Sequence, residues 1–306
     1  MTPLQLILIV CLFVGVPLSL FSRKLGSAYY RYLLLLLIAI VMLLPFAWLV
    51  CAAIKDRTVL NVYPFLPPIS RWSSSTLNFD NFRVLFAPRA TMQGPVSFWR
   101  YVINSIFLAS AATTITLFFS SLAGYTLAKF RFRGDRFVLT FMLASMTIPA
   151  IVLLAPNFET IYRLGWMDTY KALLIPGAVS VFGTFLFRQA CLSVPDEILE
   201  AGRIDGCSEF RIYLTLVMPL VRPMIGAFCL VSFLGSWNAF IAPNIFLHSQ
   251  DKLTLPVILN QYVGEYQQHY GVFLPGTLLA IVPPAILFFA LQREFVAGLT
   301  SGAVKQ

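Results

Sequence analysis

The sequence predicts an all-α polytopic membrane protein, and three observations carry that prediction. The 306 residues are 58% hydrophobic and only 11% charged, less than half the roughly 25% charge of an ordinary soluble domain. Mean hydropathy is +0.80, and the apolar runs are about 20 residues long, enough to cross a ~30 Å hydrocarbon core at 1.5 Å per residue. The runs also lack the inside/outside alternation of ~10-residue barrel strands. A soluble globular fold and a transmembrane barrel are both excluded.

Spans are expected at 4–21, 33–54, 102–128, 137–155, 172–187, 220–242 and 272–291. The first begins Met1-Thr2-Pro3-Leu4-Gln5, without the basic start of a cleavable signal. It reads as an extra helix running inward to Arg23 and Lys24. The other reading is a start codon assigned too far upstream, with translation beginning near residue 30 and six spans left. Residues 1–30, an N-terminal span and basic linker, are therefore set apart from 31–306.

Basic residues fix the orientation of the remaining spans. Arg23, Lys24 and Arg31 precede the second. Lys129, Arg131, Arg133 and Arg136 follow the third, and Arg188, Arg203, Arg211 and Arg222 surround the linker near 200. These linkers belong to the cytoplasm. The stretches 156–171 and 243–271 carry few Lys or Arg and belong outside, as does 55–101, whose length discounts its six basic residues. Within 55–101 a proline-rich loop leads toward Leu77-Asn78-Phe79-Asp80-Asn81-Phe82, a short amphipathic helix suited to the membrane interface or to an external partner.

The spans hold almost no ionisable residue, so no proton relay crosses the membrane. They carry small, weakly polar residues at helical spacing: Ser110, Thr114, Ser121 and Gly124; Gly177, Ser180 and Thr184; Gly226, Cys229 and Ser236. Such stripes suit close helix packing or the lining of a polar path. Pro149, Pro176, Pro283 and Pro284 should break or kink their helices unless neighbours satisfy the freed carbonyls.

The net charge of +9 is scattered in short clusters rather than along one face, which argues against nucleic acid. Cys11, Cys51, Cys191, Cys207 and Cys229 show no paired spacing, and His248 and His269 have no cysteine at ligand distance, so neither a disulfide framework nor a metal is expected. No GxxxxGK[ST] phosphate loop occurs.

The most informative stretch is 193–223. Pro195 with Asp196 and Glu197 should open a short helix. Asp205-Gly206 should end it in a left-handed turn, and Ser208 should cap the next helix. Glu200, Ala201 and Gly202 on the first helix would give a carboxylate and a close-approach surface. By physics alone this is a docking knob or a helix lying on the membrane.

The spacing Glu200-Ala201-Gly202, Asp205-Gly206 three residues on, and Pro219 thirteen after that glycine resembles the EAA loop of ABC-transporter permeases, with Gly202 in place of the second alanine. Further stretches agree: Asn104-Ser105, Lys129-Phe130-Arg131-Phe132-Arg133-Gly134, Leu164-Gly165-Trp166-Met167-Asp168-Thr169-Tyr170, Ser236-Trp237-Asn238-Ala239-Phe240 and the tail Gly298-Leu299-Thr300-Ser301-Gly302-Ala303-Val304-Lys305. The chain from residue 33 on is thereby similar to carbohydrate-importer permeases related to the shorter membrane subunit of the maltose transporter.

The resemblance implies a six-helix permease core, here with an extra N-terminal helix, and a subunit that is not itself an enzyme and holds no cofactor. It implies a second permease subunit, an ATP-binding subunit dimer, an external solute-binding protein and a sugar substrate within membrane lipid. Glu200, Ala201, Gly202, Asp205, Gly206 and Pro219 would couple to the ATPase. Gly298, Leu299, Thr300 and Gly302 would contact it as a flexible strand. A non-sugar solute such as a polyamine or phosphonate is the alternative.

Overall fold

The computed structural model describes residues 23–56, 58–263 and 270–303; the expected span at 4–21 lies outside them. The chain divides between Arg83 and Val84 into two compact units.

In the first unit, a Leu- and Ile-rich run interrupted by Pro45 forms helix α1, Arg23–Ala53, which covers the expected span 33–54 but for its last residue and begins earlier, at the basic linker. No glycine closes it. Instead buried Asn81 donates its side-chain amide to the carbonyls of Ala53, at 3.1 Å, and Lys55, at 2.8 Å, satisfying acceptors that a helix end leaves open. Lys55 is itself buried, and its ammonium donates to the carbonyls of Tyr63, at 2.6 Å, and Leu60, at 3.3 Å. The amphipathic helix expected near Asp80 is present as α2, Asp80–Phe86, within which the division falls.

The second unit opens with something the sequence did not announce, a hairpin of β1, Arg89–Thr91, and β2, Gly94–Val96, in the register Arg89↔Val96 and Thr91↔Gly94. Gly94, at φ +112°, supplies the backbone that lets so short a turn close. Helix α3, Phe98–Lys129, has 32 residues and contains the expected span 102–128.

The next two expected spans need correction. The stretch 137–155 is not one straight helix: α4, Asp135–Ser145, gives way to a tight turn at Ala150–Leu153 and α5, Leu154–Arg163, with a bend of 93°. Pro149 lacks an N–H and disfavours helix at the residue before it, so the ladder ends there. The stretch 172–187 is interrupted likewise, α6, Lys171–Leu174, stopping before Pro176-Gly177 and α7, Val181–Leu192, restarting after Ser180. The Ser180 hydroxyl accepts from the Gly183 N–H at 3.0 Å and caps the restart.

After α7 come α8, Asp196–Ile204; α9, Glu209–Ile212; a wide turn at Tyr213–Val217; α10, Met218–Leu220; and α11, Arg222–Trp237. The helical stretch Glu209–Leu220 meets α11 at 84°. Helices α12, Ile241–Phe246, and α13, Leu255–Tyr262, lead to α14, Tyr270–Ala303.

Helix α14 shows how its prolines are accommodated and corrects the expectation for the tail. It runs as helix through Pro275, Pro283 and Pro284, and at Pro284 a neighbour takes up the acceptor that proline frees: the indole N–H of Trp237 donates at 3.2 Å to the carbonyl of Ala280, four residues before it. It also continues as helix through Ala303, where a flexible strand was expected. Among the described residues, three helices are long and apolar enough to cross a membrane, Ser27–Ala53, Phe98–Lys129 and Tyr270–Gly298, and five segments qualify when each bent pair counts as one span.

The small-residue stripes divide between the two roles open to them. A Cβ on Gly124 would lie 2.8 Å from the Thr184 carbonyl and 2.6 Å from Phe187 Cβ, so that glycine lets α3 and α7 touch. Ser120 receives a hydrogen bond from the Ser180 N–H at 3.0 Å, and Thr116 donates to the Gly177 carbonyl at 2.9 Å. These are packing residues. Ser110, Thr114 and Cys229 instead line a cavity among α3, α11 and α14, and Gly226 both borders it and makes room for Glu294 of α14.

Candidate functional site

The loop at 193–223 folds as two short helices about a sharp turn. Pro195 stands just outside α8 as its cap, one position earlier than expected. Asp196 and Glu197 occupy the first turn, where carboxylates complement the positive helix end. Gly206 takes φ +77°, and the N–H groups of Asp205, Gly206 and Cys207 bond back to the carbonyls of Ala201, Arg203 and Gly202 at 2.9, 3.0 and 2.9 Å. A β-carbon would strain that backbone. The Ser208 hydroxyl then accepts from the Arg211 N–H at 3.4 Å, capping α9.

The α8–turn–α9 unit has two faces. Inward, Leu199, Ile212, Tyr213 and Val217 are buried with Tyr125, Cys191 and Val194. Gly202 joins this inner face: a Cβ there would lie 2.9 Å from Leu216 Cδ1. The expectation that Ala201 and Gly202 together offer an approach surface is therefore corrected. The helix period puts Ala201 outside and Gly202 inside. Outward lie Glu200, Ala201, Asp205 and Gly206, with Ile204 86% exposed and Phe210 52% exposed.

The loop is fastened to the end of α3. Lys129 donates at 2.6 Å to Asp196 and at 2.6 Å to the Val194 carbonyl. Arg203 pairs with Glu209 at 2.7 Å, Tyr125 donates to the same carboxylate at 3.4 Å, and the hydroxyls of Ser121 and Tyr213 meet at 2.7 Å. The Lys129 hydrogen bond holds the Asp196 carboxyl below its ordinary range, and the Arg203 hydrogen bond does the same for Glu209. Sequence reasoning missed these ties. Lys129 registers in the sequence only as a topology charge, and no local pattern pairs Tyr125 with a residue 84 positions on.

Pro219 lies in α10, just before the bend into α11. At the far end of the chain, α14 presses on α11 at two glycines. A Cβ on Gly298 would lie 2.8 Å from the Pro223 carbonyl, and Gly226 sits beneath the Glu294 side chain. Glu294 also pairs with Arg222 at 3.4 Å. Leu299, Thr300 and Gly302 continue α14. The tail's root is thus packed against the exit of the loop.

At the other end of α3, the stretches at 104 and 164 acquire physical reasons. Asn104 donates to the carbonyls of Asp251 and Leu253 at 2.8 and 3.0 Å, and Ser105 accepts from the Leu255 N–H at 2.7 Å. Asp168, at φ +57°, accepts from the N–H groups of His248 and Ser249 at 2.9 Å each and from the Lys252 ammonium at 2.8 Å. Burial pushes its carboxyl upward, but the bonds from Lys252, Ser249 and His248 outweigh that and hold it well below the usual range.

A family model described as binding-protein-dependent transport system inner membrane component matches residues 117–300. An arabinooligosaccharides transport system permease protein of Halalkalibacterium halodurans is 37% identical over 231 residues, 76% of this chain and 81% of that one. A lactose transport system permease protein of Rhizobium radiobacter is 32% identical over 275 residues, 90% of this chain and 95% of that one. A solved bacterial ABC transporter involved in the import of the acidic polysaccharide alginate contains a chain of similar fold, with a TM-score of 0.75 at 21% identity over 90% of this chain and 97% of that one.

Proposed function

The chain belongs to the family of binding-protein-dependent transport system inner membrane components, and on that premise we propose that it is the permease subunit through which an ABC importer moves a sugar or oligosaccharide. Permeases of this family are transport components rather than enzymes. The relatives named for arabinooligosaccharides and lactose support a sugar as the solute. Two permeases, two ATP-binding subunits and an external solute-binding protein make up the working assembly, with residues 31–306 as the permease domain.

The observation that carries the mechanism is the double character of the loop, an exposed outer face and an inner face bonded to α3 through Lys129, Tyr125 and Ser121. An ATPase docked on Glu200, Ala201, Asp205 and Gly206 would draw that face with it as its two copies close on ATP. The ties would pass the displacement to α3, and rearranged packing between rigid helices would alternate access from inside to outside. The last turns of α14, rooted by Gly298 against Pro223, would supply a second contact through Gly298, Leu299, Thr300 and Gly302.

The test is uptake by the assembled transporter in vesicles, with Glu200→Ala removing the exposed carboxylate and Gly206→Val straining the turn. Both variants should insert normally yet lose ATPase association or substrate-stimulated hydrolysis. Normal uptake and stimulation in both would reject the loop as the coupling element.

A further inference from the structure

The turn that joins α3 to α4 carries more positive charge than its neighbours neutralise. Of its basic residues, Lys129 is spent on Asp196 and the Val194 carbonyl. Arg131 stands 4.0 Å from Asp135, with its own side chain 92% exposed. Arg133 and Arg136 are exposed, and among the described residues their guanidinium groups have no ion pair or hydrogen bond. Gly134, at φ +94°, lets the chain reverse here, and its carbonyl accepts from the Val138 N–H at 2.9 Å as α4 begins.

Basic residues that only orient a span need no particular neighbours. These have them. Helix α4 starts inside the cluster and buries none of its residues. Phe137 is 73% exposed and Phe141 66% exposed, and their rings stack at 6.2 Å. At 1.5 Å per residue the two phenylalanines lie about 1.5 and about 7.5 Å along the axis from Arg136. Unpaired guanidinium groups are thus followed, within two turns of helix, by an uncovered apolar strip. The bonds of Lys129 seat the turn beside the coupling loop, which on the reading above is the cytoplasmic surface where α4 enters the hydrocarbon.

A ligand for this arrangement needs an anionic head joined to an apolar tail. A soluble cytoplasmic protein can meet the arginines but not Phe141 at membrane depth. A neighbouring apolar helix can cover the phenylalanines but leaves the guanidinium groups without an anion. Guanidinium groups donate in pairs to phosphate oxygens, and basic pockets on the cytoplasmic side of spanning helices suit anionic headgroups.

We propose that the α3–α4 turn binds an anionic phospholipid of the cytoplasmic leaflet, its phosphate on Arg133 and Arg136 with Arg131 beside them, and an acyl chain along Phe137 and Phe141. The proposal rests on the permease reading, which supplies the side of the membrane, and adds a lipid-recognition site to it.

The experiment uses the complete transporter, freed of native cysteines and carrying a bimane label on Thr140→Cys, an exposed position one turn beyond Arg136. It is reconstituted in vesicles of phosphatidylglycerol and phosphatidylcholine, with bromine on the acyl chains of one lipid at a time. Each arginine near an anionic headgroup is worth about a fivefold preference. Brominated phosphatidylglycerol should therefore quench the wild type more strongly than an equal share of brominated phosphatidylcholine. That preference should fall by up to about 25-fold in Arg133→Gln/Arg136→Gln, while Arg133→Lys/Arg136→Lys, which keeps the charge, should retain most of it. Equal quenching of the wild type by the two lipids, or an undiminished preference in the glutamine variant, would overturn the site. Quenching by neither lipid would also overturn it, and would show that a protein chain covers α4. If the glutamine variant inserts poorly, the wild-type comparison decides alone. ATP-driven uptake of maltose, lactose and arabinotriose by the same vesicles separates this from the earlier reading. Uptake with equal quenching removes the lipid site and keeps the permease, whereas a lipid preference without uptake of any of the three removes the sugar reading and keeps the lipid site.

Discussion

Positions 201 and 202 are adjacent in sequence and opposite in role, and substitution should separate them. A methyl added at Gly202 would lie 2.9 Å from Leu216 Cδ1 and 3.1 Å from Ile212 Cγ1. Leu216 Cδ1 is the end of a flexible side chain and can shift by a few tenths of an ångström. Against that small cost, exchanging glycine for alanine within a helix gains about 1 kcal/mol of propensity. Gly202→Ala should thus match the wild type within about 0.5 kcal/mol. Gly202→Leu forces three further carbons into the same space and should cost about 1–3 kcal/mol. For a chain of this size that means a melting temperature lower by several degrees. Ala201→Leu, on the exposed face, should leave melting unchanged and weaken ATPase association. The assay is fluorescence-monitored melting of the purified permease beside co-purification with the ATPase. If Gly202→Leu melts with the wild type, or Ala201→Leu melts as low as Gly202→Leu, the assignment of inner and outer faces is wrong.

Three further outcomes are expected. Asp168→Asn should destabilise the external clasp with Lys252 and Ser249; because the folded carboxyl is depressed, its contribution is complete above the ordinary carboxylate value and disappears as pH falls toward the folded one. The melting deficit of the variant should accordingly stay constant from about pH 5 to 8 and shrink only in stronger acid; a deficit that varies across the neutral range would refute this. Truncation after Val296 removes Gly298 from its seat on Pro223 and should reduce ATPase co-purification without reducing membrane insertion, and equal recovery of ATPase by both forms would exclude a tail contact. A lone cysteine at position 208 in a chain freed of native cysteines should react with a membrane-impermeant reagent only after cells are opened, whereas labelling in intact cells would reverse the orientation.

Helix positions were legible in the sequence because apolar length and basic flanks are local properties. The breaks at Pro149 and Pro176 were anticipated for the same reason, although not that they would divide the segments so completely. What the sequence left open or missed was decided by more distant neighbours. Pro284 breaks nothing because Trp237 reaches the freed carbonyl, and no reading of residues 280–288 could supply that indole. Gly202 looked like a surface residue because its nearest partners, Leu216 and Ile212, return through a turn. Lys129, Tyr125 and Asp196 were visible singly, but their association depends on α3 and α7 packing at Gly124. The hairpin at 89–96 lay in a stretch whose prolines signalled only loop.

Helix α3 is gripped at both ends, by Asp251, Leu253 and Leu255 through Asn104 and Ser105, and by the coupling loop through Tyr125 and Lys129. Each residue inserted between those grips would turn one against the other by about 100° and lengthen the separation by about 1.5 Å. No single insertion or deletion between 105 and 125 preserves both sets of bonds, and even one of three or four residues restores the rotation only in part. The connecting loops face no such constraint. Relatives that use the same two grips should therefore vary freely in loop length and keep this interval fixed, and a designer wishing to uncouple the two faces while sparing each one has a one-residue insertion near Phe118 as the smallest available cut.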